Sequence, residues 1–589
     1  MSAGDSPIDR SLARASEKVA TFNRRMWPLL LVVLCLAVYL PGAIRLPAVD
    51  RTEIVYAETT RSMVERGALA DPRYGETVHQ FRPIGTYWAQ AAAAAVAGEA
   101  NASNITVYRL PGVLAVTLAV LALYLLARPL GINPLYAAAL FAVAPLTVLL
   151  SQLAITEGLA LLPATVAMLS LMRLYAAKDG DNERALALLL WISIGFGLLL
   201  NALQTPILMA ATLIALFVMD RDLSWLKRTL PLIGLPIALV IAAPWLLVRW
   251  HQDGVPFAGM GWSEFLAALG GSQDMKLKAW PGTFVLAALL GFLPGTALLA
   301  PAVRTLWQDR GADRVARFLL AWMIGYIVYL ELVSSKPGTY TVQVMFPAFA
   351  LAVARIIPEM PVRPLPEFHA IPWPPLAALF ALGLFAAVYK FAGAVPGPVA
   401  LAGIAATAAM FYMSADAGRK GLLWLWVVQG TAALAVFAVT LLAVVLPSIE
   451  KIWPAQTLTA AVRESCGEIA PAVTVLGFRE PSAYFVLGAP HAPQSPEATV
   501  ANGAAVRIVE SRWLNRYFVS YAARNPGKLP GRALGCVAAY NVMRGCPLSF
   551  TMFAPENAPE NAAACKPAAT FRCDTEEEIA PRDPARGCD

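Results

Sequence analysis

Two short stretches concentrate the residue types that do chemistry: "DRTEIVYAE" at Asp50–Glu58 and "HQFRPIGTYW" at His79–Trp88. Asp50 and Glu53 are carboxylates three residues apart, at the start of the helix-like "EIVYAETTRSMVERG". That spacing fits an N-terminal capping box, with Asp50 as N-cap and Glu53 at the third helical position. It also fits a carboxylate held at a helix start to take a proton from a substrate, and the two uses are compatible. Arg82 precedes Pro83, as in a first helical turn. It reads either as a snorkelling arginine flanked by the belt aromatics Tyr87 and Trp88, or as a guanidinium that grips a phosphate at headgroup depth. Glu157 is the only charged side chain between Arg128 and Arg173. An acid in such a setting is expensive, which makes it a candidate functional group, with a water-exposed turn as the alternative. Further cations and aromatics follow: Arg249, His251, Lys276 and Lys278 in one loop region, then Lys336 and Tyr340 in "SSKPGTY". Each is weak alone. With Tyr56 and Tyr87 they would form a basic, aromatic collar around an acidic centre.

The elements that must position these groups are apolar helices. The chain has 589 residues, of which 58% are hydrophobic and 14% charged; a soluble protein carries roughly 25% charge. Apolar runs of about 20 residues recur, which identifies a polytopic α-helical membrane protein. About thirteen spans are expected, near 27–46, 108–127, 132–150, 155–172, 186–202, 205–219, 229–248, 282–303, 318–334, 341–356, 371–391, 397–416 and 421–447. Ile84–Gly98 is short for a span and is expected to lie along the interface. The net charge of +7 does not point to nucleic acid, because Lys and Arg collect in alternate short loops. Arg24, Arg25, Arg128, Arg173, Arg221, Arg228, Arg304, Arg355 and Arg419 mark those loops as cytoplasmic by the positive-inside rule. Residues 1–26 are then cytoplasmic, residues 48–107 form a large outer loop, 27–447 make up the membrane domain, and 448–589 an outer domain.

Cysteine placement agrees independently with that topology. Cys35 lies in the first span, whereas Cys466, Cys536, Cys546, Cys565, Cys573 and Cys588 all follow the last one. Six cysteines without a Cys-x-x-Cys pair suit at least two disulfides in an oxidising compartment, rather than zinc. One plausible pairing ties the region framed by Cys536 and Cys546 to a neighbour. "AVTVLGF" and "AYFVLG" read as strands and "ESRWLNRYFVSYAAR" as a helix, so the tail is expected to be a small α/β domain.

The ordered motifs "DRTEIVYAE", "FRPIGTYW", "RLPG", "ITEGLAL", "APW", "GFLPG" and "SSKPGTYTVQVMFPAFALA" resemble the bacterial lipid-linked glycosyltransferases of the protein O-mannosyltransferase and lipid A aminoarabinose transferase superfamily. In the tail, "GFREPSAYFVLG" and "AYNVMRG" resemble the outer domain of the aminoarabinose transferase-like branch. The resemblance covers nearly the whole chain. It implies a GT-C fold, a polyprenyl-phosphate sugar donor, and transfer to a lipid or other envelope acceptor outside the cytoplasm. It matches the family's acidic motif to Asp50 and Glu53, although the usual Asp-Glu dipeptide stands here as Thr52-Glu53. The family's Lys-Pro-Pro-aromatic motif falls on Arg82-Pro83-Ile84, and its outer-end acid on Glu157. The Thr-Lys-Gly-Pro turn is here Leu203-Gln204-Thr205-Pro206, without the cation. That would shift the phosphate grip to Lys276, Lys278 or Lys336.

On that reading the cations stabilise the departing polyprenyl phosphate. Asp50 or Glu53 serves a hydroxyl acceptor as base, or orients the sugar if the acceptor is itself a phosphate. A transporter is the competing class, but paired repeats and midplane charges would be expected of one. The sequence calls for no cofactor and leaves a divalent-metal requirement open.

Overall fold

The computed structural model describes residues 26–75, 77–78, 83–98, 101–177, 182–201, 203–253, 280–332, 338–357, 382–383, 385–386, 388–390, 395–467, 472–489, 495–503, 505–528, 530–542, 544–556 and 565–573. Its membrane part begins with α1 (Trp27–Arg45). The first loop follows, containing α2 (Thr52–Glu65), a two-stranded hairpin of β1 (Arg73–Tyr74) and β2 (Thr77–Val78), and α3 (Gly85–Ala97). Then come α4 (Ile105–Ala127), α5 (Pro134–Val143), α6 (Pro145–Ser151), α7 (Thr156–Tyr175), α8 (Glu183–Asn201), α9 (Gln204–Asp220) and α10 (Pro231–Asp253). Beyond residue 280 lie α11 (Thr283–Gly291), α12 (Leu299–Asp309), α13 (Arg314–Leu332), α14 (Phe346–Ile356), α15 (Pro398–Arg419) and α16 (Leu423–Val439). The last of these continues through a π turn to Ser448.

Among the described residues, eight helices are long and apolar enough to cross a membrane, or ten if each bent pair counts as one span. The chain is a multi-pass membrane protein. Ten of the thirteen expected spans have a counterpart in that count. The runs at 205–219 and 229–248 fall on α9 and α10, whose apolar lengths are short for a span; the 17 residues of α9 reach about 26 Å against a hydrocarbon core of about 30 Å. The run at 371–391 lies mostly outside the described residues. Proline breaks two spans: α5 and α6 meet at 64°, and α11 turns by 110° into the segment Gly295–Asp309.

α7 is the most enclosed span, 89% buried, and packs between α4 and α8. Close approach at its start depends on glycine. A Cβ on Gly158 would sit 2.4 Å from the Leu150 carbonyl oxygen, and one on Gly112 of α4 would sit 3.3 Å from that of Ser151. The "RLPG" and "ITEG" motifs therefore let α4 and α7 close around the chain that joins α6 to α7.

The C-terminal part contains α17 (Pro454–Cys466), β3 (Val473–Leu476), α18 (Ser482–Phe485), α19 (Pro496–Ala501), β4 (Val506–Glu510), α20 (Leu514–Arg524), β5 (Ala533–Asn541) and β6 (Cys546–Phe553). The sheet order is β3-β4-β6-β5, with β3 and β4 parallel and the other pairs antiparallel. Val506 and Ile508 face the core shared with α17, while Val509 faces the core built by Leu514, Tyr517 and Tyr521 of α20. Two disulfides, Cys466–Cys565 and Cys536–Cys573, tie α17 and β5 to the later chain. One sequence expectation fails here. "AYFVLG" is not a strand: Pro481 and Ser482 open the short helix α18, whose first turn accepts capping by a carboxylate far away in sequence.

Candidate active site

The capping-box reading of "DRTE" does not survive. Helix α2 starts at Thr52 behind Arg51, whose φ of 67° and ψ of −99° are rarely adopted by a residue with a side chain, and Arg51 makes no side-chain cap. Asp50 turns away from α2. Its Oδ1 accepts the Ser482 backbone N–H at 2.8 Å and its Oδ2 accepts the Ser482 hydroxyl at 2.9 Å. Asp50 thus caps α18 of the C-terminal domain.

Glu53 has a different environment. It is 1% exposed and all its acceptor capacity is used. Oε1 accepts Arg109 Nε at 2.7 Å and the Ala154 backbone N–H at 2.7 Å, while Oε2 accepts Arg109 Nη2 at 2.7 Å and the Val49 N–H at 2.9 Å. The Arg109 guanidinium, itself fully buried, also donates to the carbonyls of Ala43, Leu46 and Pro47. A carboxylate with four donors, two of them from one bidentate guanidinium, has no lone pair for a substrate proton. Glu53 therefore suits a keystone that joins α1, α2, α4 and the α6–α7 corner better than a general base. Arg109 lies in the quoted "RLPG" without having been singled out. The signal was present, since an arginine inside an otherwise apolar span needs a partner.

The third acid, Glu157, is partly buried in the first turn of α7. Ala154, three residues earlier, is held by Glu53 from one side and by Gln90 Nε2 of α3 on its carbonyl at 3.0 Å. The Glu157 carbonyl accepts Gln343 Nε2 at 2.7 Å. Thr86 and Thr156 share a hydrogen bond of 2.9 Å, so the starts of α3 and α7 are joined as well. Three predicted aromatics meet alongside. Tyr56 and Tyr87 have ring centroids 5.3 Å apart, and with Ile84, Ile155, Leu199 and Trp245 they form one apolar cluster against which Tyr340 packs. Tyr87 is fully buried and is not a belt aromatic; its neighbour Trp88 is the exposed one, donating to the Leu69 carbonyl.

The expected cationic collar is the least visible feature. Arg82, Lys276, Lys278 and Lys336 lie outside the described residues, and so does the side chain of Arg249. His251 is exposed on the last turn of α10. The structure therefore gathers Asp50, Glu53, Glu157, Tyr56, Tyr87 and Tyr340 around the joined starts of α2, α3 and α7.

Electrostatics separates the acids. Burial pushes the Asp50 carboxyl up to about 6; the two Ser482 hydrogen bonds oppose that rise and the charge of Glu480 adds to it. Glu480 is also pushed up by burial, but its hydrogen bonds to Arg51 and Asn541 and the charges of Arg51 and Arg544 outweigh this and hold it below the ordinary range.

Residues 81–248 match the family model described as dolichyl-phosphate-mannose-protein mannosyltransferase. The chain is 28% identical over 336 residues to an undecaprenyl phosphate-alpha-4-amino-4-deoxy-L-arabinose arabinosyl transferase of Pseudomonas paraeruginosa, covering 55% of this chain and 58% of that relative. A relative of the same description from Pectobacterium atrosepticum is 24% identical over 389 residues, covering 64% of this chain and 69% of the relative. The chain thus spans little more than half the length of the first of these relatives. In three dimensions it is similar to ArnT from Cupriavidus metallidurans in the apo state, with a TM-score of 0.66 at 15% identity over 92% of this chain and 98% of that one. The form bound to undecaprenyl phosphate gives 0.64 at 16% identity over 90% and 98%. By sequence the chain is similar to lipid-linked glycosyltransferases of the protein O-mannosyltransferase and aminoarabinose transferase type, and it has the GT-C fold of ArnT.

Proposed function

We propose that this protein is an integral membrane glycosyltransferase that moves a sugar from a polyprenyl-phosphate donor to a lipid acceptor of the lipid A type on the outer, periplasmic face of the bacterial inner membrane. The observation that carries the proposal is the contrast between two neighbouring acids. Glu53 is saturated and structural, whereas Asp50 keeps free lone pairs and has its carboxyl raised toward neutrality. A general base works best with its pKa near the working pH. The relatives' activity toward undecaprenyl-phosphate sugars supports the donor class.

In the proposed reaction the acceptor hydroxyl oxygen attacks the anomeric carbon of the sugar. The bond from that carbon to the phosphate oxygen breaks, and the bonding pair leaves with the polyprenyl phosphate. The hydroxyl proton passes to Asp50. Arg82, with Lys276, Lys278, Lys336 and Arg249, is assigned to the phosphate, since a fixed cation in a water-poor site stabilises the charge that develops there. Tyr56, Tyr87 and Tyr340 are assigned to the sugar and the lipid head, with Glu157 orienting the sugar. His251 is assigned to the rim. Residues 1–26 are placed in the cytoplasm and 448–589 outside.

Purified protein in detergent, given a radiolabelled polyprenyl-phosphate sugar and lipid A, should release polyprenyl phosphate and label the lipid. Failure to consume the donor with any acceptor would overturn the proposal. The family model that matches residues 81–248 favours one second reading, transfer to a protein hydroxyl. Label appearing in protein rather than lipid would select it.

A further inference from the structure

We infer that the C-terminal domain completes the membrane site, with Ser482 as a positioning residue that fixes the Asp50 carboxylate and Glu480 as the group that fixes the neighbouring Arg51. This rests on the reading of Asp50 as the reacting acid.

The contact joins residues 432 positions apart. One donor on each carboxylate oxygen sets both the rotation and the plane of the Asp50 head group. Immediately beside it, Arg51 Nε and Nη2 reach Glu480 at 3.2 and 3.4 Å. Glu480 is 5% exposed and is held from β5 and the turn after it, by Asn541 Nδ2 at 2.9 Å and Arg544 Nε at 3.3 Å. Arg51 keeps its unfavourable φ of 67° within this contact. Such a conformation persists only where the surroundings over-determine it.

The docking is also apolar. Phe485 of α18 shares a core with Ala48, Ile54, Ala57, Val107 and Tyr108. Its ring lies 5.7 Å from that of Tyr108 and 5.3 Å beneath the Arg61 guanidinium. The hydrogen-bonded part falls on Asp50, and the ionic part on the neighbouring Arg51.

The charged and titratable groups facing Asp50 are Arg51 beside it, Glu480 from the domain, and Tyr74 from the hairpin. The Tyr74 phenol stays protonated chiefly through burial, and then through the charges of Tyr484, Glu58, Asp50 and Glu480. The Ser482 hydroxyl, like the Ser482 backbone N–H and the charge of Arg51, favours the charged form of Asp50. Removing it should therefore raise the pH at which Asp50 ionises.

The test uses the full-length protein and the variants Ser482→Ala, Ser482→Thr, Glu480→Gln and Asp50→Asn. The pH dependence of sugar-transfer kcat/KM is measured, together with infrared titration of the carboxyl band that Asp50→Asn removes. Ser482→Ala should move both the acid limb and the carboxyl titration upward by about one pH unit, and Ser482→Thr should restore them. Glu480→Gln should shift the titration downward, because a like charge is removed. An unmoved carboxyl titration in Ser482→Ala, with the protein folded by thermal unfolding, would overturn the inference whatever the activity. A carboxyl that moves while kcat/KM follows the wild-type profile would overturn the functional role and leave only docking. Absence of transfer in the wild type sinks the glycosyltransferase reading instead, and the infrared arm tells that failure from the first.

Discussion

At the scale of single residues, two carboxylates in one nonapeptide segment have opposite fates. Asp50 is held by a serine, and Glu53 is locked by Arg109. Asp50→Asn should lower transfer by orders of magnitude while leaving thermal stability in detergent near wild type, since Asn caps a helix about as well as Asp. The sign of its pH dependence follows from the raised carboxyl. Its ordinary value is 3.8 and its folded value about 6, so the folded state binds the extra proton between those limits. Stability should fall as pH rises through that window. Activity should rise through about pH 6 as the base form appears, and a pH–rate profile without that limb would remove Asp50 from the chemistry. Glu53→Gln leaves the fully buried Arg109 guanidinium without its counter-charge. Breaking a buried pair costs about 3–5 kcal/mol, so a large drop in melting temperature should precede any kinetic effect. A stable but inactive Glu53→Gln would return Glu53 to the list of bases. Spacing alone could not separate the two acids, because their partners come from α4 and α18, far along the chain.

The helices form where their apolar runs predict, but what they do together depends on breaks and close contacts. The kink between α5 and α6 brings the chain round to Ala154 and Glu157, and Gly158 lets α7 start against Leu150. Gly158→Ala would press a methyl group into the Leu150 carbonyl. Overpacking of this kind costs about 1–3 kcal/mol. It should also displace Ala154 from Glu53, so both melting temperature and transfer rate should fall; no change in either would show that the corner relaxes freely. The misread strand "AYFVLG" has its cause at this scale too. Its aromatic and β-branched residues suit a strand, but Pro481 stands at the N-cap of the helix, and Asp50 supplies the N-terminal acceptor that a four-residue helix cannot supply for itself.

Across the whole molecule, the C-terminal domain combines a mixed four-stranded sheet, the disulfides Cys466–Cys565 and Cys536–Cys573, and a docking face on the first loop. The Cys466–Cys565 bridge closes a separation of 99 residues. Replacing both cysteines by serine should destabilise the domain by roughly 2–5 kcal/mol, visible as a lower melting temperature under non-reducing conditions. Should the inference about Ser482 hold, the same variant should lose transfer activity as the domain loosens. Reporter fusions after residue 448 should report an external location, as the loop charges and tail cysteines both require; a cytoplasmic signal would overturn the topology and the external active site together.

Composition and periodicity by themselves determined the membrane class, most of the spans, and a disulfide-bearing α/β tail. These depend on local or summed properties: apolar length, charge bias between loops, alternation and cysteine count. The ordered motifs added the lipid-linked glycosyltransferase resemblance and the GT-C fold. The division of labour between Asp50 and Glu53, the role of Arg109, and the arrival of Ser482 and Glu480 at the membrane site were decided only by tertiary structure. Each depends on which distant group occupies the last hydrogen-bonding position of a carboxylate, and the chain acquires those neighbours only when α1, α2, α4, α7 and the C-terminal domain pack against one another.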